Sequence, residues 1–443
     1  MVLGWRRRKN KNKNPRNLDL EIVIPAHFKC PISLDLMKDP VTLSTGITYD
    51  RDAIERWFQD GNFTCPVTNQ ILTTFDLVPN HALRVLIQEW CVENRRFGID
   101  RIPTPRVPVS PIEIADALLH MKASATRLDR YGVMESVQRI EKWRCESERN
   151  KRCIVENGAA SVFSFAFHAF ASSIEENASV LEEILCALNW MFPIQFESQR
   201  ILGSSNSLRC IVWFLKHQDL SGKQNAIVAL REILCSCDEQ VLEAMAEIEG
   251  NTKELLVELI NKRISPTITK ASLMIVHYMV SSSYPSCEKV KLEFIELGLI
   301  SSLLEILVDT EKSLCEKALG VFDSLCSCVE GREKAYSNAL TIPILVKKIL
   351  RVSTLATNYS VSAIWKLCRY GHKDDNDEEE EDEEEALVEA LQVGAFQKLL
   401  VVLQVGCDDE TKEKVNELLK LLNPYRAGLE CIDSDFKNLK RSF

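Results

Sequence analysis

The chain is 443 residues long, 46 % hydrophobic and 27 % charged, with a formal net charge of −10. That length admits two to four domains with a large buried core, and the composition is that of an ordinary globular protein rather than a fibrous one. No apolar run reaches the roughly 18 residues that a membrane helix needs. The opening Met1-Val2-Leu3-Gly4-Trp5 offers neither an apolar signal core nor a glycine for myristoylation. Sixteen cysteines lie scattered along the chain, mostly beside Leu, Ile or Val, as at Leu234-Cys235 and Leu325-Cys326. They read as reduced thiols buried in helices, which places the expected compartment in the cytoplasm, with the nucleus as a second location.

The charge is uneven. Residues 374–385, DDNDEEEEDEEE, hold eleven acids and no base, and removing them turns −10 into +1. At the other end Arg6, Arg7, Arg8, Lys9, Lys11, Lys13 and Arg16 make a basic tail over 1–22. Its charge would attract anionic membrane, nucleic acid or import receptors, while the plainer reading is a disordered solubilising segment. Elsewhere the chain lacks interleaved aromatic and basic residues, so no specific nucleic-acid partner is expected.

Residues 23–97 mix short strand signals with two helices. Val41-Thr42-Leu43 and Ile47-Thr48-Tyr49 flank Ser44-Thr45-Gly46, a pattern that predicts a tight hairpin with glycine at positive φ. Asp50 is placed to cap a helix carrying Ile54, Trp57 and Phe58 on one face and stopping at Gly61. A second helix should start after Pro79, capped by Asn80, with Leu83, Leu86, Ile87 and Trp90 on its apolar face. Two loops, Cys30-Pro31-Ile32-Ser33 and Cys65-Pro66-Val67-Thr68, open like zinc sites but carry Ser33 and Thr68 where a second cysteine would stand. A structural zinc needs about four converging N or S ligands, and the region has no CxxC, CxH or HxxxH. No metal or other cofactor is therefore expected. Ser33, Asp35, Asp39, Thr68 and Asn69 are the candidates to tie the loops by hydrogen bonds instead.

RIPTPRVPVSP, within a linker over 98–111, has four prolines in eleven residues and should be extended. From 112 to 425 glycines at 158, 203, 250, 298 and 394, with Ala339 once in their place, introduce apolar helices. Their spacings are 45, 47, 48, 41 and 55, the last falling to 43 without the twelve-residue acidic run. Each unit carries a further helix; in one, Leu314, Ala318, Val321 and Leu325 recur at helical spacing. Paired helices at this period resemble armadillo or HEAT repeats, five or six of them, stacked into one continuous core. The acidic run falls between repeats as a loop insertion, and 426–443 is left as a C-terminal tail.

FKCPISLDLMKDPVTLSTGITYDRDAIERWF, GNFTCPVTNQ and LVPNHALRVLIQEWC closely resemble the U-box, a metal-free relative of the RING domain. Followed by a Pro-rich linker and armadillo-type repeats, the arrangement is similar to the plant U-box ubiquitin ligases. The resemblance implies a mainly α fold: a small α+β U-box followed by an α-α superhelix of armadillo-type repeats. It implies docking of a ubiquitin-charged conjugating enzyme by Ile32 and Leu34 of the first loop and Pro66 of the second, with Trp57 lining the groove or serving as core. It further implies no covalent catalytic residue, an activating contact at the position of Asn69 where the best-known pattern has arginine, and a protein substrate held by the repeats. A homodimer is compatible with this reading. The rival from another class is a non-catalytic armadillo scaffold whose U-box only recruits partners. Nuclear import is excluded as a function because Trp190 and Trp365 are followed four residues on by Ile194 and Arg369, not by the asparagines of a WxxxN ladder.

Overall fold

A computed structural model describes residues 24–102, 109–248, 251–308, 311–369 and 380–439. The basic tail at 1–22, linker residues 103–108, Gly250 and acidic residues 374–379 lie outside the described residues. The chain divides into two compact units, 1–108 and 109–443.

The first unit is built around a short three-stranded sheet. Strands β1 (Pro40–Thr42) and β2 (Thr48–Asp50) form the hairpin, with Val41 opposite Tyr49, and β3 (Val78–Pro79) pairs with the other edge of β1. Gly46 takes φ +80° in the turn, and its N–H donates to the Leu43 carbonyl at 2.9 Å. A side chain there would pay the left-handed penalty that glycine avoids. Helix α1 (Arg51–Gln59) follows directly and α2 (His81–Glu93) closes the unit. Asn80 caps α2 as expected, its Oδ1 accepting from Leu83 N–H at 3.0 Å. The core includes Val41, Tyr49, Ile54, Cys65, Ile87 and Cys91. Leu86, expected on the apolar face of α2, is exposed; Leu83, Ile87, Trp90 and Cys91 face the core.

Every regular element among the described residues of the second unit is a helix. A leading pair, α3 (Pro111–Thr126) and α4 (Arg130–Glu146), starts it; Ser110 and Glu113 form a reciprocal capping box at the start of α3. Then come triads: α5 (Glu148–Glu156), α6 (Ala159–Phe170), α7 (Ile174–Met191); α8 (Phe196–Leu202), α9 (Ser205–His217), α10 (Leu220–Leu234). Next are α11 (Glu239–Ala246), α12 (Thr252–Lys262), α13 (Pro266–Ser281); α14 (Cys287–Glu296), α15 (Leu299–Val308), α16 (Lys312–Leu325). The last are α17 (Val329–Tyr336), α18 (Thr341–Lys348), α19 (Thr354–Arg369); α20 (Glu380–Gln392), α21 (Ala395–Val405), α22 (Asp409–Leu439).

The repeat is thus a triad where the sequence suggested a pair. The extra member is mostly a short, polar helix, such as α8 or α17, too brief to print a hydrophobic period. The third helices form one layer, α4, α7, α10, α13, α16, α19 and α22 each packing on the next. One core runs continuously from Ile114 to Leu422, as stacked repeats require.

Three expectations need correction. The acidic run is not wholly a loop: its residues 380–385 open α20, and glutamate is a good helix former. Helix α22 runs on to Leu439, past residue 425, so the stretch assigned to a tail is helical over most of its length. Cysteines are not uniformly buried: Cys145, Cys186, Cys235 and Cys237 are exposed, although all described cysteines are free thiols.

Candidate functional site

The two Cys-Pro loops are built to one plan. In the first, Cys30 N–H donates to the Asp35 carbonyl at 2.9 Å and Leu34 N–H to the Cys30 carbonyl at 2.9 Å; in the second, Cys65 bonds Gln70 at 2.9 Å and Asn69 bonds Cys65 at 2.8 Å. Bridges Lys29–Leu36 and Thr64–Ile71 close the two loops at their bases. Ser33 and Thr68, standing where metal sites have their second cysteine, accept from Asp35 and Gln70 N–H at 3.4 Å. They finish local turns. The plan also demands a left-handed residue at the same place, Leu34 at φ +61° and Asn69 at φ +58°. Asparagine tolerates that region; leucine does not favour it.

Three sets of contacts tie the loops to the hairpin and the helices. Asp50 does not cap α1: its Oδ1 accepts from Lys38 and Asp39 N–H, both at 2.8 Å, and so ties the first loop to the hairpin. Burial pushes the Asp50 carboxyl up, with these two N–H donors opposing. Asp39 pairs with Arg51 at 2.6 Å and Arg84 at 3.5 Å, so α1 and α2 are both fastened to the loop. Around the second loop Tyr49 Oη lies 3.0 Å from Cys65 Sγ and accepts from Val67 N–H at 3.3 Å, while Thr45 Oγ1 donates to the same sulfur at 3.4 Å. Burial pushes the Cys65 thiol up, but hydrogen bonds from Thr45, Thr68 and Tyr49 outweigh it and leave it at about 6. Burial pushes the Tyr49 hydroxyl well up. Of the anticipated ties, Asp39 acts through its side chain across the module; Asp35 and Asn69 contribute backbone bonds to the loop plan. Among the described residues no cluster of three or more His, Cys, Asp or Glu is arranged to hold a metal ion.

Between the first loop and α1 runs an open groove of about 450 Å³. Ile32, Leu36, Ala53 and Trp57 supply its apolar lining; Asp35, Asp50, Asp52 and Asp60 stand along it with Lys38 and Arg56. Trp57 is at once core and lining: it packs against the buried cluster, and its indole N–H donates to the Thr64 carbonyl at 2.8 Å, pinning the second loop to α1. Ile32 and Trp57 therefore meet in one groove. Leu34 and Pro66 are outside its lining; Leu34 is 69 % exposed on the tip of its loop, while Pro66 is half-buried beside the exposed Val67. Asn69 is exposed on the second loop. Leu36 and Ala53 went unnoticed in the sequence, although Ala53 stands one helical turn before Trp57.

In the solenoid the tryptophans are held by their neighbours. Trp190 on α7 donates to Glu141 of α4 at 2.6 Å, with Arg144 over its ring at 5.5 Å; Trp365 on α19 donates to Glu417 of α22 at 2.5 Å, with Arg369 at 4.9 Å. Trp213 lies on α9, outside the layer of third helices, stacked on His217 at 4.7 Å.

Cross-braced loops on a hairpin module, joined to a solenoid of helical triads, define a U-box and an armadillo-type repeat region, and comparison with known proteins agrees. The U-box domain model matches residues 24–96, and the model of the plant U-box protein ARM repeat region matches 113–441. The chain belongs to the plant U-box proteins with an armadillo-repeat region. It is 45 % identical to U-box domain-containing protein 21 of Arabidopsis thaliana over 99 % of each chain, and 42 % identical to U-box domain-containing protein 20 of the same plant over 96 % of this chain and 94 % of that one. It is 35 % identical to the Arabidopsis E3 ubiquitin-protein ligase PUB23, over 91 % of this chain and 94 % of the relative.

Proposed function

We propose that the chain is a U-box ubiquitin-protein ligase. It holds a ubiquitin-charged conjugating enzyme on the Ile32–Trp57 groove and the tips of both loops, with Leu34 and Pro66 as further contacts. The bound thioester is oriented for attack by a substrate lysine amine, and the conjugating enzyme's thiol leaves; the ligase forms no bond to ubiquitin. This is catalysis by positioning, and it asks of the protein only a rigid, correctly shaped docking face. The observation that supports it most is the brace behind that face: Asp39, Asp50, Tyr49 and Cys65 fix both loops where a metal otherwise would. Ligase names among the relatives point the same way. The solenoid, a separate compact unit, offers the long surface for a protein substrate.

Asn69 can donate hydrogen bonds to ubiquitin and its carrier but lacks the charged fork of arginine. The test is ubiquitin-chain synthesis with activating enzyme and a panel of conjugating enzymes, run in a zinc-selective chelator with magnesium–ATP in excess. Wild type should work; Ile32→Ala should lose about 2 kcal/mol of docking, or roughly thirtyfold; Asn69→Arg should run faster. Chain synthesis that Ile32→Ala leaves untouched refutes the docking face, and loss on zinc removal alone refutes the metal-independent brace. Silence from folded wild type across the whole panel would favour the non-catalytic scaffold.

A further inference from the structure

The groove that receives the conjugating enzyme is apolar inside and acidic along its sides. Asp35 stands on the first loop, Asp52 in the first turn of α1 and Asp60 just past the helix's last residue, with Arg56 four residues from each. Asp50 is the fourth carboxylate of the lining, but it is engaged with the Lys38 and Asp39 backbone N–H groups. Lys38 and Arg56 are the cations of that lining, so carboxylates outnumber them two to one. Asp52 and Arg56 are spaced i, i+4 with the acid first, the order in which a helix offsets opposite charges against each other. That leaves Asp35 and Asp60 as the carboxylates of the lining without such a pairing.

We propose that these carboxylates select among conjugating enzymes, favouring those whose docking face surrounds its apolar contact with lysines or arginines. This rests on the ligase reading above and names the partner subset it takes. The occupant follows from charge complementarity. An apolar contact enters the Ile32–Trp57 lining and supplies affinity for every member of the class. Charges at the rim act on encounter rate and on the choice between partners more than on raw affinity. A carrier with an acidic docking face would meet like charge along both sides of the groove.

The test is binding of the full chain to a panel of uncharged conjugating enzymes of differing docking-face charge, at about 50 and 300 mM salt, across which screening shortens appreciably. Basic-faced enzymes should bind tighter, and their affinity should fall with salt. The Asp35→Asn/Asp52→Asn/Asp60→Asn variant should lose roughly tenfold toward them at low salt, each exposed pair counting for about two- to fivefold. Its salt dependence should also flatten. Asp35→Asn alone, in a loop where no helix end is touched, repeats the test should the triple variant fold poorly. Asp35→Lys should in turn bind better to an enzyme with a docking-face lysine changed to aspartate. Binding that ignores both salt and these substitutions overturns the charge selection and leaves the ligase reading standing. Binding to no member of the panel overturns both.

Discussion

Leu34 offers a perturbation whose effects on stability and on function should run in opposite directions. Its φ of +61° lies in the left-handed region, and its side chain is 69 % exposed, so it gives the folded domain strain and little packing. At the matching position of the second loop stands Asn69, at φ +58° with the same bond back to its cysteine. Leu34→Asn transplants that solution. Relief of the left-handed penalty should stabilise the U-box by about 1 kcal/mol, or roughly 4–8 °C in a domain of this size. Docking should suffer. Fully burying a leucine contributes about 2 kcal/mol, and covering the exposed two-thirds of this one contributes about 1.4 kcal/mol, a factor of about ten. Hydrogen exchange across α1 and α2 in the full chain reads the first effect, because the U-box core is separate from that of the solenoid. Conjugating-enzyme binding and chain synthesis read the second. A variant that is less protected would show that Leu34 is held for packing and that the strain argument is wrong, and one that binds as well as wild type would show that Leu34 is no docking contact.

Two further outcomes test the braces. Tyr49→Phe removes the hydroxyl that serves both Val67 N–H and Cys65 Sγ inside the core; leaving Val67 N–H unpaired and taking one of its donors from Cys65 should cost about 2 kcal/mol. Hydrogen exchange should speed over residues 64–71, and unchanged exchange there would show that the second loop is held by something else. Cys65 gives a pH signature. Its folded value is lowered from 9.0 to about 6, so the stability its thiolate lends is complete above 9.0 and is lost as pH falls through about 6. Cys65→Ser lacks that increment, so the stability gap between wild type and variant should widen between pH 6 and 9. A gap of constant size contradicts the thiolate, and loss of chain synthesis by a folded Cys65→Ser protein contradicts the non-covalent mechanism.

What the sequence made legible were features whose cause is local. The Gly46 turn, the Asn80 cap and the spacing of Ala318, Val321 and Leu325 on α16 each depend on residues within a turn or two, and each is found in place. The missing features depend on partners far along the chain or on elements too short to show a period. Asp50 looked like a cap because α1 begins at the next residue, yet the N–H groups it satisfies belong to Lys38 and Asp39, twelve and eleven residues back. Tyr49 read as a strand residue with no sign that its hydroxyl reaches Cys65, sixteen residues on. The short helices α8, α11 and α17, of seven or eight residues, were absorbed into the stretches between their longer neighbours. Leu34 was picked out by its loop and its chemistry, not by its backbone, since nothing in Cys-Pro-Ile-Ser-Leu announces a positive φ. That combination is what makes the site credible as a docking face. A strained, exposed leucine beside a braced apolar groove costs the isolated domain stability, and a surface that another protein covers is where such a cost is offset.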